Sequence, residues 1–267
     1  MSRIGFIALI LWLWLLPVSS QSINLSSPSL GAGNAYLSTA AFNNIPILPS
    51  VFPKNKTLIC YADYSNRYFL KELSVKRMAI GIPSGTTTFG IYAQSYGFKL
   101  YNENLLGLML GKQLTENTHG GVRINYLQNH VAEKENSFAA TWDASFSTSI
   151  NKNLLLSGHL YNPLELNYKS NKDFYTPTIY NLSLGYTIKN HLVYEEIIHH
   201  SETDLELITG GVFNIHKTLG ISSSFSNQSN LFALGVTIKM KSMTVQTGFQ
   251  LHKKLGASSG MSLKYIL

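Results

Sequence analysis

The feature that most limits what this chain can fold into is a two-residue rhythm. From Thr57 to Leu267, apolar residues recur at every second position in short runs separated by turn residues. Successive side chains of an extended strand point to opposite faces, so this period specifies strands with one apolar face. The clearest run has Phe232, Leu234, Val236, Ile238 and Met240 interleaved with Ala233, Gly235, Thr237 and Lys239. Val245, Thr247, Phe249 and Leu251 alternate with Gln246, Gly248, Gln250 and His252. The same pattern is carried by Tyr180, Leu182, Leu184, Tyr186 and Ile188, by Trp142, Ala144 and Phe146, and by Val122, Ile124 and Tyr126. The intervening face holds mostly Gly, Ser, Thr, Asn and Gln. A soluble sandwich would put Lys and Glu on its outer face, so this composition favours an apolar exterior around a polar interior.

The reading predicts about fourteen strands. They fall near 57–65, 74–83, 86–97, 104–114, 118–129, 137–150, 154–162, 177–188, 191–200, 205–214, 219–227, 231–240, 243–252 and 258–267. Connections after the even strands are short, near Ser84-Gly85, Glu116-Asn117, Lys152, Asn190, His216-Lys217 and Lys241-Ser242. The odd connections are mostly longer, as in Asn66 to Leu73, His130 to Asn136 and Pro163 to Thr176. Short turns at one end and longer loops at the other are the habit of outer-membrane barrels, with both ends of the barrel chain on the short-turn side. The fold class expected is therefore all-β: a transmembrane antiparallel β-barrel spanning 57–267. Met261, Leu263, Tyr265 and Leu267 share one face of the last strand and suit the terminal signal read by the barrel-assembly machinery.

Composition agrees. Charged residues make up 13% of the chain, about half the usual share in soluble domains, and mean hydropathy is only +0.03. Tyrosine leads the aromatics, as suits a membrane–water boundary. After residue 20 no apolar run approaches the ~20 residues of a helical span, so the mature chain would cross lipid as strands.

Residues 1–20 read as a cleaved secretory signal, with an uncleaved anchor as the alternative. Arg3 is basic, Ile4 to Leu16 is apolar, and Val18-Ser19-Ser20 precede the expected cut before Gln21. Residues 21–56 break the rhythm. Ser26-Ser27-Pro28-Ser29, Gly31, Gly33, Asn34 and Pro46, Pro49 and Pro53 suit a coil or short helix ahead of the barrel. Tyr194-Glu195-Glu196-Ile197 puts a carboxylate on each face of one strand, so one glutamate is expected near a rim, or the strand is expected to be irregular.

Chemistry-bearing motifs are sparse. The net charge of +7 is scattered rather than interleaved with aromatics, which argues against nucleic acid and for basic turns meeting anionic headgroups. His199-His200 face opposite sides, and no His, Cys and carboxylate spacing suggests a metal site. The lone Cys60 has no disulfide partner and reads as a small strand residue. Gly31-Ala32-Gly33 lacks the context of a dinucleotide loop, and Asp143, His159 and many serines have no triad spacing. No enzyme, metal or cofactor is expected. The candidate lumen groups are Arg123, Asn125, Asp143, Lys239, Gln246, Gln250 and His252.

Leu30-Gly31-Ala32-Gly33-Asn34-Ala35-Tyr36, Ala40-Ala41-Phe42-Asn43-Asn44, Asn66-Arg67-Tyr68-Phe69-Leu70-Lys71-Glu72-Leu73 and Tyr161-Asn162-Pro163 occur in an order that resembles the FadL-type outer-membrane transporter superfamily. The chain looks closest to the PorV/PorQ-like barrels of type IX secretion. The family's Asn-Pro-Ala-Gly pattern is absent, and Asn44-Ile45-Pro46 stands in its neighbourhood. The resemblance implies an N-terminal plug, with Gly31, Gly33, Asn34, Asn43, Asn44 and Pro46 as its candidate residues. It also implies passage of hydrophobic small molecules or partnership with secretion-complex proteins in the outer membrane. The alternatives are a non-transporting adaptor barrel and a soluble exported β-protein.

Overall fold

The structure is a computed structural model that describes residues 30–31, 35–54, 56–166, 176–201, 205–227 and 231–267. The expected leader and the plug candidates Gly33 and Asn34 lie outside the described residues.

Fourteen strands form a closed antiparallel barrel. They are β1 (Ile59–Asn66), β2 (Ser74–Ser84), β3 (Thr87–Phe98), β4 (Tyr101–Gln113), β5 (Thr118–Val131), β6 (Ser137–Ser149) and β7 (Leu154–Tyr161). The circuit continues through β8 (Ile179–Ile188), β9 (His191–His200), β10 (Glu206–Asn214), β11 (Leu219–Ser226), β12 (Leu231–Lys239), β13 (Met243–His252) and β14 (Gly256–Ile266). Each strand pairs with its sequence neighbours, and β1 pairs with β14 from Ile59↔Ile266 to Asn66↔Ser259. That last ladder removes both free edges, as a sheet in hydrocarbon requires.

The alternation resolves into an outer and an inner face. On β12, Phe232, Leu234, Val236 and Ile238 are exposed, while Ala233 and Thr237 are buried. On β5, Val122, Ile124 and Tyr126 point outward, and Arg123 and Asn125 point inward. The exposed aliphatic and aromatic residues form a belt around the barrel, so the apolar face meets lipid and the polar face lines the lumen. Cys60 is half-buried among them on β1. Among the described residues, no helix is long and apolar enough to cross a membrane.

Two expectations need correction. The fourth strand begins at Tyr101 rather than 104, and Tyr101–Asn104 pair with Val131–Gln128. Polar residues at the end of a membrane strand can be wet on both faces, so apolar alternation fades there while the ladder continues. The β3–β4 connection is thereby only Lys99-Leu100, and the long-loop rule has an exception. The Glu195-Glu196 pair is also neither at a rim nor on an irregular strand. β9 pairs continuously with β8 from Ile179↔His200 to Ile188↔His191. Glu195 faces outward at mid-strand, between Leu184 and Thr209, and Glu196 is fully buried inside. Alternation is the cause: a carboxylate needed in the lumen sends its neighbour outward.

Placing a charge on the outer face tests the orientation of the sheet. Ile124 is exposed at the middle of the belt, so Ile124→Arg is expected to lower the free energy of unfolding by about 2–4 kcal/mol in denaturant titrations in lipid. An unchanged midpoint would contradict a lipid-facing Ile124.

Candidate functional site: the occupied lumen

A barrel of this size leaves a space that side chains alone do not fill. Here residues 35–54 occupy it. Their one helix of note, α1 (Leu37–Asn43), has no side-chain cap of its own at the N-terminus. Its first backbone N–H groups are instead met by the barrel wall. Glu196 of β9 accepts from Tyr36 N at 3.0 Å and Leu37 N at 3.1 Å. Asn181 of β8 donates to the same carboxylate at 2.7 Å. A buried carboxylate needs such donors, and the positive end of a helix favours it further.

The other end of α1 is matched by a cation. Asn44 ends the helix in the left-handed conformation, with φ 55° and ψ 48°. Lys264 of β14 donates to the carbonyl of Asn43 at 2.7 Å and reaches that of Asn44 at 3.4 Å. Wall charges of opposite sign therefore grip the two ends of one helix. Ser38 Oγ meets Ser183 Oγ at 2.5 Å between them.

Beyond α1 the chain packs as an apolar wedge. Ile45, Leu48, Val51 and Phe52 cluster with inward Ile59, Tyr61, Ala79, Tyr92 and Met109. On the opposite wall Ala35 joins Ile179, Leu192, Tyr194, Ile198, Ile208 and Val212. Close approach here needs absent side chains. A Cβ at Gly111 would lie 2.3 Å from the Pro49 carbonyl oxygen, and one at Gly121 would lie 2.7 Å from Pro49 Cβ.

A polar network joins wedge and wall. Asp143 of β6 accepts from Arg123 Nε at 2.7 Å and Asn125 Nδ2 at 2.9 Å. His159 of β7 stands 3.3 Å from Asp143 through Nε2, and its Nδ1 is 2.6 Å from Tyr36 Oη. Arg123 also lies 4.4 Å over the Tyr92 ring and donates to Ile47 O at 3.4 Å. Ser50 N donates to Ser145 Oγ at 2.9 Å. A second ion pair, Arg77–Asp63 at 3.1 Å, sits on β1 and β2. The Asp143–His159–Tyr36 chain has the order of an acid–base relay. All three side chains are buried, however, and Tyr36 itself covers the histidine. These contacts join the segment to the wall.

The sequence-predicted residues separate into groups. Arg123, Asn125 and Asp143 come together in this network. Lys239 donates to Asn214 Oδ1 at 3.0 Å and Gln246 to Thr237 Oγ1 at 3.2 Å, toward the short-turn end. Gln250 is buried further along β13. His252 lies at the opposite end, where its Nδ1 accepts from Lys254 N and Leu255 N. Of the segment's own residues, Gly31 accepts from Ser222 Oγ at 3.4 Å and abuts Gly235, Asn43 and Asn44 end α1, and Pro46 is buried in the turn that follows. Nothing in the sequence links Glu196, Lys264, His159 and Tyr36 as a group. Strand parity places three of them inward, but only the fold brings them to the segment 35–54. Among the described residues no cluster of three or more His, Cys, Asp or Glu side chains is arranged for a metal.

No protein-family model matches the chain, and no curated protein matches its sequence. Its fold is similar to solved outer-membrane barrels. One is a FadL homologue of Pseudomonas aeruginosa, with TM-score 0.60 and 10% identity over 95% of this chain and 99% of that one. Another is the Pseudomonas putida toluene transporter TodX, with TM-score 0.58 and 8% identity over 91% and 98%. At such identities the likeness is one of fold.

Two variants test how the segment is held. Glu196→Ala leaves the first N–H groups of α1 without acceptors and is expected to cost about 2–3 kcal/mol, with Glu196→Gln intermediate. Gly111→Val is expected to expel the Pro49 turn while the barrel persists. Limited proteolysis should then cut within 35–54 in both variants, with heat-modifiable gel mobility retained; protection equal to wild type would contradict the contacts described.

Proposed function

We propose that the protein is a bacterial outer-membrane channel of the FadL kind, and that residues 35–54 are its closure. The observation that supports this most is the helix α1, gripped at one end by Glu196 and at the other by Lys264. A purely structural barrel has no need of a separate segment seated on charged groups of its wall. Small hydrophobic molecules are the proposed cargo. The apolar face of Ile45, Leu48, Val51 and Phe52 already rests on inward Tyr61, Tyr92 and Met109, so displacing it would bare an apolar surface facing the apolar cluster of the opposite wall. On this reading the chain is exported by a cleaved signal at 1–20, and its last strand is presented to the barrel-assembly machinery. It performs no chemistry and uses no cofactor.

A second reading is a PorV/PorQ-like partner of a secretion complex, or another adaptor barrel whose lumen stays shut. Two short connections at the end opposite the even-numbered turns, where the others are longer, favour it. Lys99-Leu100 and the turn after His252 leave little chain there for an external ligand groove.

Planar-bilayer recordings separate the two. The wild-type barrel is expected to conduct little, and a variant lacking residues 21–56 is expected to open stably, with uptake of a hydrophobic dye into liposomes. Equal, low conductance in both would sink the closure reading. Crosslinking in outer membranes that recovers a constant protein partner would favour the adaptor.

A further inference from the structure

The two rims of the barrel differ in charge. At the short-turn end, lysines recur almost turn by turn. Lys112 sits beside the β4–β5 turn, Lys152 in β6–β7, Lys189 in β8–β9, Lys217 in β10–β11 and Lys241 in β12–β13, and Lys56 leads into β1. All six are exposed. Of the turns at this end, only that between β2 and β3 lacks a nearby lysine, and Glu116 is the one carboxylate in them. The opposite rim mixes signs: Lys71 adjoins Glu72, and Lys134 lies between Glu133 and Glu135.

The lysines are also placed in depth. Each turn lysine lies within two residues of an exposed aliphatic side chain that ends the lipid-facing belt: Leu114, Ile150, Ile188, Ile215 or Met240. A lysine stem can run along such apolar surface and carry its ammonium group into the headgroup layer. Because the lysines recur about every second strand, they lie roughly 10 Å apart along the rim.

We propose that this ring is a binding surface for anionic phospholipid headgroups of the leaflet at the short-turn end, the periplasmic leaflet by the barrel rule. The distribution selects the occupant. A protein partner docks on one side and needs one patch, whereas a lipid annulus meets the rim all round. Phosphate groups supply the missing negative charge, and each lysine near such a surface adds attraction that is screened by salt. The inference rests on the membrane residence of the barrel and not on passage through it, so a closed and an open lumen predict the same result.

The test uses the full mature chain in a neutral detergent. Phosphatidylglycerol, added against phosphatidylcholine, is expected to raise the thermal unfolding midpoint and to remain bound in native mass spectra, with the effect falling as salt rises. Changing Lys112, Lys152, Lys189, Lys217 and Lys241 to Gln together should abolish the preference, and single Lys→Gln changes should weaken retention up to about fivefold each. A control with Lys71, Lys99, Lys134, Lys253 and Lys254 changed to Gln should keep it. Conductance of the plug-deleted channel should be the same with and without the ring. The proposal is overturned if the ring variant retains phosphatidylglycerol like wild type, if the control loses it equally, or if lipid A is preferred to phosphatidylglycerol.

Discussion

Every backbone N–H and C=O that passes through hydrocarbon needs a partner in the protein itself, and the β1–β14 ladder is where that demand is finally met. Without it two edges would lie open to lipid. With it the chain commits to a tube, and the tube has an inside. The polar side chains that alternate with the lipid-facing residues are then confined in a narrow space with each other. Asp143, Glu196, Asp63 and Arg123 have to find partners there. They find them in adjacent strands and in the segment 35–54. Closure thus accounts for the pairs between adjacent strands, and the segment adds partners that the wall alone does not supply.

Electrostatics inside the tube is arranged by sign and by end. A carboxylate lies where α1 begins, an ammonium where it stops, and the ion pairs flank the apolar wedge. The same alternation has a cost on the outside. Glu195 faces lipid at mid-strand because Glu196 faces the helix. A carboxylate on the outer face is less costly than a basic group there, and the barrel carries it beside Thr209.

Much of the barrel was readable from its residues. Apolar alternation located the strands because lipid favours an apolar side chain at most outward positions of the belt, Glu195 and Thr209 being departures. It fades where that preference ends, so the alternation marks the fourth strand from 104 while the ladder begins at Tyr101. The lumen was legible only in part. Arg123 and Asp143 stand out as charges on inward positions, and their pairing follows once β5 and β6 are in register. Contacts between Tyr36 and His159, or Leu37 and Glu196, join residues more than a hundred positions apart. No local pattern announces them, because the short helix they hold has neither a strong period nor a cap of its own.

The hold of Lys264 on Asn43 has a further consequence, for how the seam and the segment are linked. It ties a helix at the front of the described chain to its last strand. The same strand closes the tube against β1. Seating the helix and sealing the wall therefore draw on one element, β14. A change in β14 that shifts its seam with β1 is therefore expected to be felt at the helix as well.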